Sequence, residues 1–181
     1  MKLLIKIFLD ELNPYDLDQI IELLNSNTNE DTEICIMTNE SEVNYEPYRY
    51  YYLSDVNIPK MINYKLDEID WDIILPIFKP CITIKGVDSV IRKLYTDKFK
   101  NLDGILSLND EFFVIGKNFY KKLGYLYNPA YNKKNFENEL VEISKLSNKY
   151  SLFKQPIMKV LSLKSDDDKI FELRKKFNFS L

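Results

Sequence analysis

The sequence predicts an α/β fold with a mostly parallel central sheet flanked by helices. Strand-like and helix-like segments alternate along the first half. Residues 3–9 and 72–78 are apolar on both faces, as expected of buried parallel strands. The apolar residues between the strand segments recur at helical spacing, so the connections read as helical crossovers covering the sheet.

Residues 3–9 form the first strand, in which Lys6 is the one charge. Asn13 is placed as an N-cap with Pro14 at the first helical position, and Leu17, Ile20, Ile21 and Leu24 then mark one helix face. A polar turn over 25–31 leads to a strand at 34–37 and a polar loop at 39–46. Aromatic strand formers fill 48–53. Residues 58–69 read as a helix with Met61, Ile62, Leu66 and Ile69 on one side, followed by the strand at 72–78.

After Gly86, Val87, Val90, Ile91 and Leu94 mark a helix over 87–99. Short strands at 104–108 and 112–115 join around Asn109-Asp110, and a helix at 118–123 is capped by Gly124. An aromatic loop with Pro129 spans 125–135, a helix 136–146, a late strand 158–163, and a last helix about 165–177. Ser165 followed by Asp166, Asp167 and Asp168 has the composition of a metal-binding cluster, and equally suits an N-cap with acids in the first turn, where the helix dipole favours them.

The 181 residues, 45% hydrophobic and 29% charged, fit one domain with a substantial core. A net charge of −3 with scattered lysines argues against a nucleic-acid binder. Cys35 and Cys81 sit in apolar runs and read as buried free thiols suited to a reducing compartment, the cytoplasm. The apolar start is interrupted by Lys6 and ended by Asp10-Glu11, and reads as a strand rather than a signal peptide. No run reaches the ~20 apolar residues of a membrane span. There is no histidine, so any catalysis must use carboxylates, lysine, tyrosine or backbone groups.

The run 87–142 carries a more specific pattern. It contains Asp103-Gly104-Ile105 with Asn109-Asp110, then Ile115-Gly116-Lys117 and Tyr120. Gly124-Tyr125-Leu126-Tyr127-Asn128-Pro129-Ala130-Tyr131 follows, and Glu137-Asn138-Glu139 closes the run. Upstream stand Ile62-Asn63 and Ile69-Asp70-Trp71-Asp72-Ile73-Ile74. In order and spacing this resembles a phage and bacterial family of small glycosyltransferase-2-like proteins. That family has D-G-V-x-x-x-N-D, I-x-G-[RK]-x-Y-Y, G-Y-[IL]-Y-x-P-x-Y and D-N-E segments. The resemblance is good over 58–145 and loose upstream.

It implies a GT-A fold, a Rossmann-related single domain over 1–181, with 1–85 as the nucleotide-sugar half and 86–181 as the acceptor half. In such a fold a D-x-D-like pair after the fourth strand holds a divalent cation on the donor diphosphate. Where the family reads S-D-D-M-I-P before a K-G step, this chain has Ile77-Phe78-Lys79-Pro80-Cys81-Ile82 before Lys85-Gly86. The carboxylates are replaced by Phe78 and Lys79. Leu9-Asp10-Glu11-Leu12 stands where arginines are common, Asn39 where a carboxylate is, and Met61 where a small residue is. A late metal-binding histidine has no counterpart.

The resemblance therefore implies no metal and no cofactor. It leaves Asn39, Asn63 and Lys79 on the donor side, Glu137 as base for the acceptor hydroxyl, and Asp103, Asp110, Asn138 and Glu139 on the acceptor side. Each has a plainer reading too: Glu137 and Glu139 as first-turn acids, Asp103-Gly104 and Asn109-Asp110 as turn chemistry, Lys79 as a solvated edge residue. Two functions follow from different classes. One is a divergent, metal-independent glycosyltransferase using a nucleotide-sugar donor and an unknown acceptor. The other is an inactive binding or structural module with a protein partner, in a virus particle or directed at a host.

Overall fold

The computed structural model describes residues 1–9, 14–27, 31–39, 45–54, 57–131 and 135–160. The elements are β1 (Leu3–Phe8), α1 (Pro14–Asn27), β2 (Thr32–Thr38), β3 (Arg49–Tyr52), α2 (Ile58–Asn63), β4 (Ile73–Ile77) and β5 (Cys81–Thr83). They continue with α3 (Val87–Lys98), β6 (Ile105–Leu108), β7 (Phe112–Gly116), α4 (Lys117–Leu123), α5 (Phe136–Leu146), β8 (Tyr150–Phe153) and β9 (Met158–Val160).

Seven strands form the central sheet in the order β3-β2-β1-β4-β7-β6-β8. The β3, β2, β1 and β4 strands run parallel, with Ile5 opposite Ile34 on one side and Leu75 on the other. Strand β7 is antiparallel to both β4 and β6, so β6 points the same way as β4, and β8 runs parallel to β6. The expected neighbours at 3–9, 34–37 and 72–78 are thus β1, β2 and β4. A small antiparallel pair, β5 with β9, stands apart.

The alternation along β1 divides the core. Leu3, Ile5 and Ile7 pack with Leu17, Ile20 and Leu24 of α1 and with Val87, Ile91 and Tyr95 of α3. Leu4 and Phe8 pack on the other face with Met61 and Ile62 of α2, Phe119 of α4, and Phe136 and Leu140 of α5. Burying both faces is what makes β1 continuously apolar. Cys35 and Cys81 are buried free thiols, and burial pushes them up to about 11 and about 12 respectively.

Gly124 ends α4 as expected, at φ 78° with its N–H donating to Tyr120 O at 2.8 Å. Gly116 has a different reason. A Cβ there would overlap the Tyr95 hydroxyl and the Leu102 carbonyl, where α3 and the following turn close over β7.

Two expectations need correction. The helix expected over 58–69 stops at Asn63. Tyr64 turns extended, Lys65 adopts φ 55°, and a 3₁₀ turn covers Leu66–Glu68. Side chains from elsewhere take the freed carbonyls: Lys6 Nζ donates to Ile62 O and Tyr64 O, and Trp71 Nε1 donates to Leu66 O. Short strands β5 and β8 also occur where sequence periodicity is too brief to mark them. The helix at 165–177, the cap at Asn13 and the loop at Asp10-Glu11 lie outside the described residues. Among the described residues, no helix is long and apolar enough to cross a membrane.

Candidate functional site

The carboxyl ends of β1, β2 and β4 share one sheet edge, where open α/β sheets bind ligands. Leu9 follows β1 there, Asn39 follows β2, and Phe78-Lys79 follow β4. Helix α5 starts at this edge and descends to the opposite one, where Lys149 O accepts from Ile105 N at 2.7 Å.

An aromatic cluster occupies the edge. The Phe78 ring lies 5.6 Å from Phe8, 5.8 Å from Tyr127 and 5.8 Å from Phe136, centroid to centroid. Tyr127 and Phe136 meet edge to face at 4.8 Å. These tilted and edge-on arrangements are the favourable ones for aromatic rings. Phe8, Tyr127 and Phe136 are buried while Phe78 is half-buried, so Phe78 closes the cluster toward solvent. Met61 is fully buried in the same core region.

Two charges follow directly on ring residues of this cluster, Lys79 after Phe78 and Glu137 after Phe136. Glu137 is half-buried in the first turn of α5, and Lys79 is exposed. Burial raises the Glu137 carboxyl above its ordinary range, and the Lys79 ammonium pulls the other way. Tyr127 is pushed well above the usual phenol value, first by burial and then by the Glu137 charge. Among the described residues no hydrogen bond to the Glu137 carboxylate is found. A carboxylate that is desolvated, made more basic and left without a hydrogen bond suits proton acceptance.

The remaining sequence candidates divide. Asn39 is exposed on the same edge. Asn138 is exposed, 3.5 Å from Asn135 Oδ1, and Glu139 Oε1 accepts from Asn128 Nδ2 at 3.1 Å, tying the 125–131 loop to α5. Asp110 follows β6 at the same edge, two strands beyond β4, and accepts from Tyr150 Oη at 3.0 Å.

Asp103 precedes β6 and so lies at the opposite edge. It is 3% exposed and paired to Lys122 and Lys149 at 2.5 and 3.0 Å. Asn63 is committed within the protein. Its Nδ2 donates to Pro59 O and Tyr127 O, and its Oδ1 accepts from Leu126 N, each at 2.6 Å.

A ring and an ammonium at Phe78-Lys79 do not fit a divalent cation, which takes oxygen or imidazole ligands. Among the described residues, no group of three or more Cys, Asp or Glu stands together to hold a metal. Lys6, Phe8 and Tyr127 shape the site although sequence reasoning gave them no role there. The signal for Lys6 was its position as a lone charge inside a doubly apolar strand.

No protein-family model matches the chain. No curated protein matches it in sequence. Solved structures do resemble it in three dimensions. Similarity to S. aureus TarS has a TM-score of 0.70 at 9% identity, covering 96% of this chain and 39% of that one. The mannosyltransferase PcManGT from Pyrobaculum calidifontis, solved with GDP-Man and Mn2+, matches with a TM-score of 0.64 at 7% identity, over 96% of this chain and 60% of that one. A cytidylyltransferase from Leptospira borgpetersenii gives 0.55 at 12%, over 97% and 93%. The fold is GT-A-like, and the chain spans less than two thirds of the length of the first two.

Proposed function

We propose that this chain is a divergent glycosyltransferase-like domain that takes a nucleotide-sugar at the carboxyl edge of β1, β2 and β4 and transfers the sugar without a bound metal. The observation that carries this is the placement of Glu137, at the start of α5, and Lys79, after β4, on that one edge, with the ammonium acting on the carboxylate. Asn39, exposed beside them, belongs to the donor side in this reading. The mannosyltransferase of similar fold was solved with GDP-Man and Mn2+, which supports a nucleotide-sugar as the donor class.

In the transfer, the acceptor hydroxyl gives its proton to the Glu137 carboxylate. Its oxygen bonds to the anomeric carbon as the bond from that carbon to the diphosphate oxygen breaks. The electron pair leaves with the diphosphate, and the Lys79 ammonium offsets the developing charge. Burial of Glu137 makes the carboxylate the more basic.

Glu137→Gln keeps shape and removes the base. Transfer should fall by at least about a hundredfold while donor binding is retained. Transfer at the wild-type rate by this variant would overturn the assignment.

The aromatic cluster favours a second reading. Phe78, Phe8, Tyr127 and Phe136 pack where a metal-bound diphosphate would otherwise lie, as in an inactive module that keeps the fold as a binding surface. Absence of donor binding across a panel of nucleotide-sugars would select it.

A further inference from the structure

We propose that Lys6 is a positioning residue for Glu137, acting through α2, Asn63 and Tyr127. Lys6 is the one charged side chain of the central strand and is fully buried. Its ammonium donates to Ile62 O and Tyr64 O, both at 2.7 Å, where α2 ends. These carbonyls belong to the exposed end of a helix dipole, which a cation complements.

Asn63 lies between the two carbonyls that Lys6 holds. Its amide bonds the backbone on both sides of one loop step, accepting from Leu126 N and donating to Tyr127 O, each at 2.6 Å. A third bond, to Pro59 O at 2.6 Å, fixes the amide on its own helix. The clamp places the Tyr127 ring against Phe136 at 4.8 Å and Phe78 at 5.8 Å. Tyr127 thereby packs on Phe136, the residue before Glu137 in the first turn of α5, and the charge of Glu137 acts on it in return. The joints from Lys6 to Phe136 are short hydrogen bonds and one edge-to-face ring contact, so a shift at α2 has little slack to absorb it.

Removing the ammonium leaves the buried Ile62 O, and the part-buried Tyr64 O beside it, without their donor, a condition relieved by moving the end of α2. Asn63 moves with it, and Tyr127 with Asn63. Glu137 then gains water. The groups facing it are Lys79 after β4 and Tyr127 from the loop; neither is altered chemically by a change at Lys6.

The inference rests on the reading of Glu137 as the functional carboxylate, but its test needs no activity. The Glu137 side-chain carboxyl carbon would be followed by NMR through a pH titration, its signal assigned by loss in Glu137→Gln. Lys6→Met and Asn63→Ala should each lower the Glu137 midpoint by at least about half a pH unit, toward the ordinary carboxylate value. Ile5→Val, on the opposite face of β1, should reduce stability and leave the midpoint in place. Should Lys6→Met fail to fold, Asn63→Ala alone decides, since it retains the Lys6 bonds and cuts only the next joint. An unchanged midpoint in the folded variants, or an equal shift in Ile5→Val, would overturn the proposal. Failure of nucleotide-sugars to bind would count against the functional reading and leave this result standing.

Discussion

Phe78 packs on Phe8 with ring centroids 5.6 Å apart, joining the residue after β4 to the last residue of β1 at the carboxyl edge of the parallel strands. Where the family resemblance places a metal-binding carboxylate, this chain has an aromatic closing its core. Adding Mn2+, or removing divalent ions with EDTA, should leave the thermal midpoint unchanged. Phe78→Ala should cost about 2 kcal/mol, the lower end of large core truncations because the ring is half-buried. Urea denaturation checks the second value; a Mn2+-dependent rise in the midpoint would contradict the first.

Lys6 makes stability depend on pH in an unusual direction. Burial lowers its ammonium from the ordinary 10.5 to about 8, so between these values the unfolded chain holds more protons than the native one. The cost of burying the charge is fully present below the folded value and is relieved as pH rises through it. Relative to Lys6→Met, the wild-type protein should gain about 1 kcal/mol from pH 8 to pH 9. Taking the difference cancels the cysteine and tyrosine contributions shared by both proteins. Equilibrium unfolding of the pair at several pH values checks this, and a flat difference would contradict it.

Asp103 behaves in the opposite sense. Burial acts to raise its carboxyl, but Lys122 and Lys149 outweigh it and hold the group below its ordinary value. A depressed carboxylate stabilises above the unfolded value and loses that contribution as pH falls through the folded one. Asp103→Asn should therefore cost about 1 kcal/mol at pH 7, because a buried carboxylate loses its attraction to two partly exposed lysines. The gap between wild type and variant should narrow as pH falls from 5 to 3, measured by urea denaturation. A gap independent of pH would show that packing, not charge, accounts for the cost.

The parts of the fold that could be read from sequence are those whose cause is local. Double-sided burial makes β1 and β4 continuously apolar, helical spacing marks α3 and α5, and the left-handed conformation of Gly124 needs no distant partner. The end of α2 was not legible, because Lys6 and Trp71 take its carbonyls from outside the helix. Short apolar segments carry no direction, so the reversed β7 between β4 and β6 could not be foreseen. In the site, the resemblance supplied Glu137 and Lys79. It could not reveal that Asn63 spends its amide on a loop 63 residues away, or that two lysines hold Asp103 at the far edge.

The central claim is that Lys79 supplies the charge for a donor diphosphate at the carboxyl edge of the sheet. Calorimetric titration of nucleotide-sugars into the protein in EDTA, beside Lys79→Ala, tests it most directly. Lys79 is exposed, so its removal should leave folding intact while weakening donor affinity by about tenfold or more, the loss expected when a charge-assisted contact to phosphate is cut. Binding to wild type without metal, lost in Lys79→Ala, is the predicted result. No binding by any donor, or equal affinity in the variant, would contradict it.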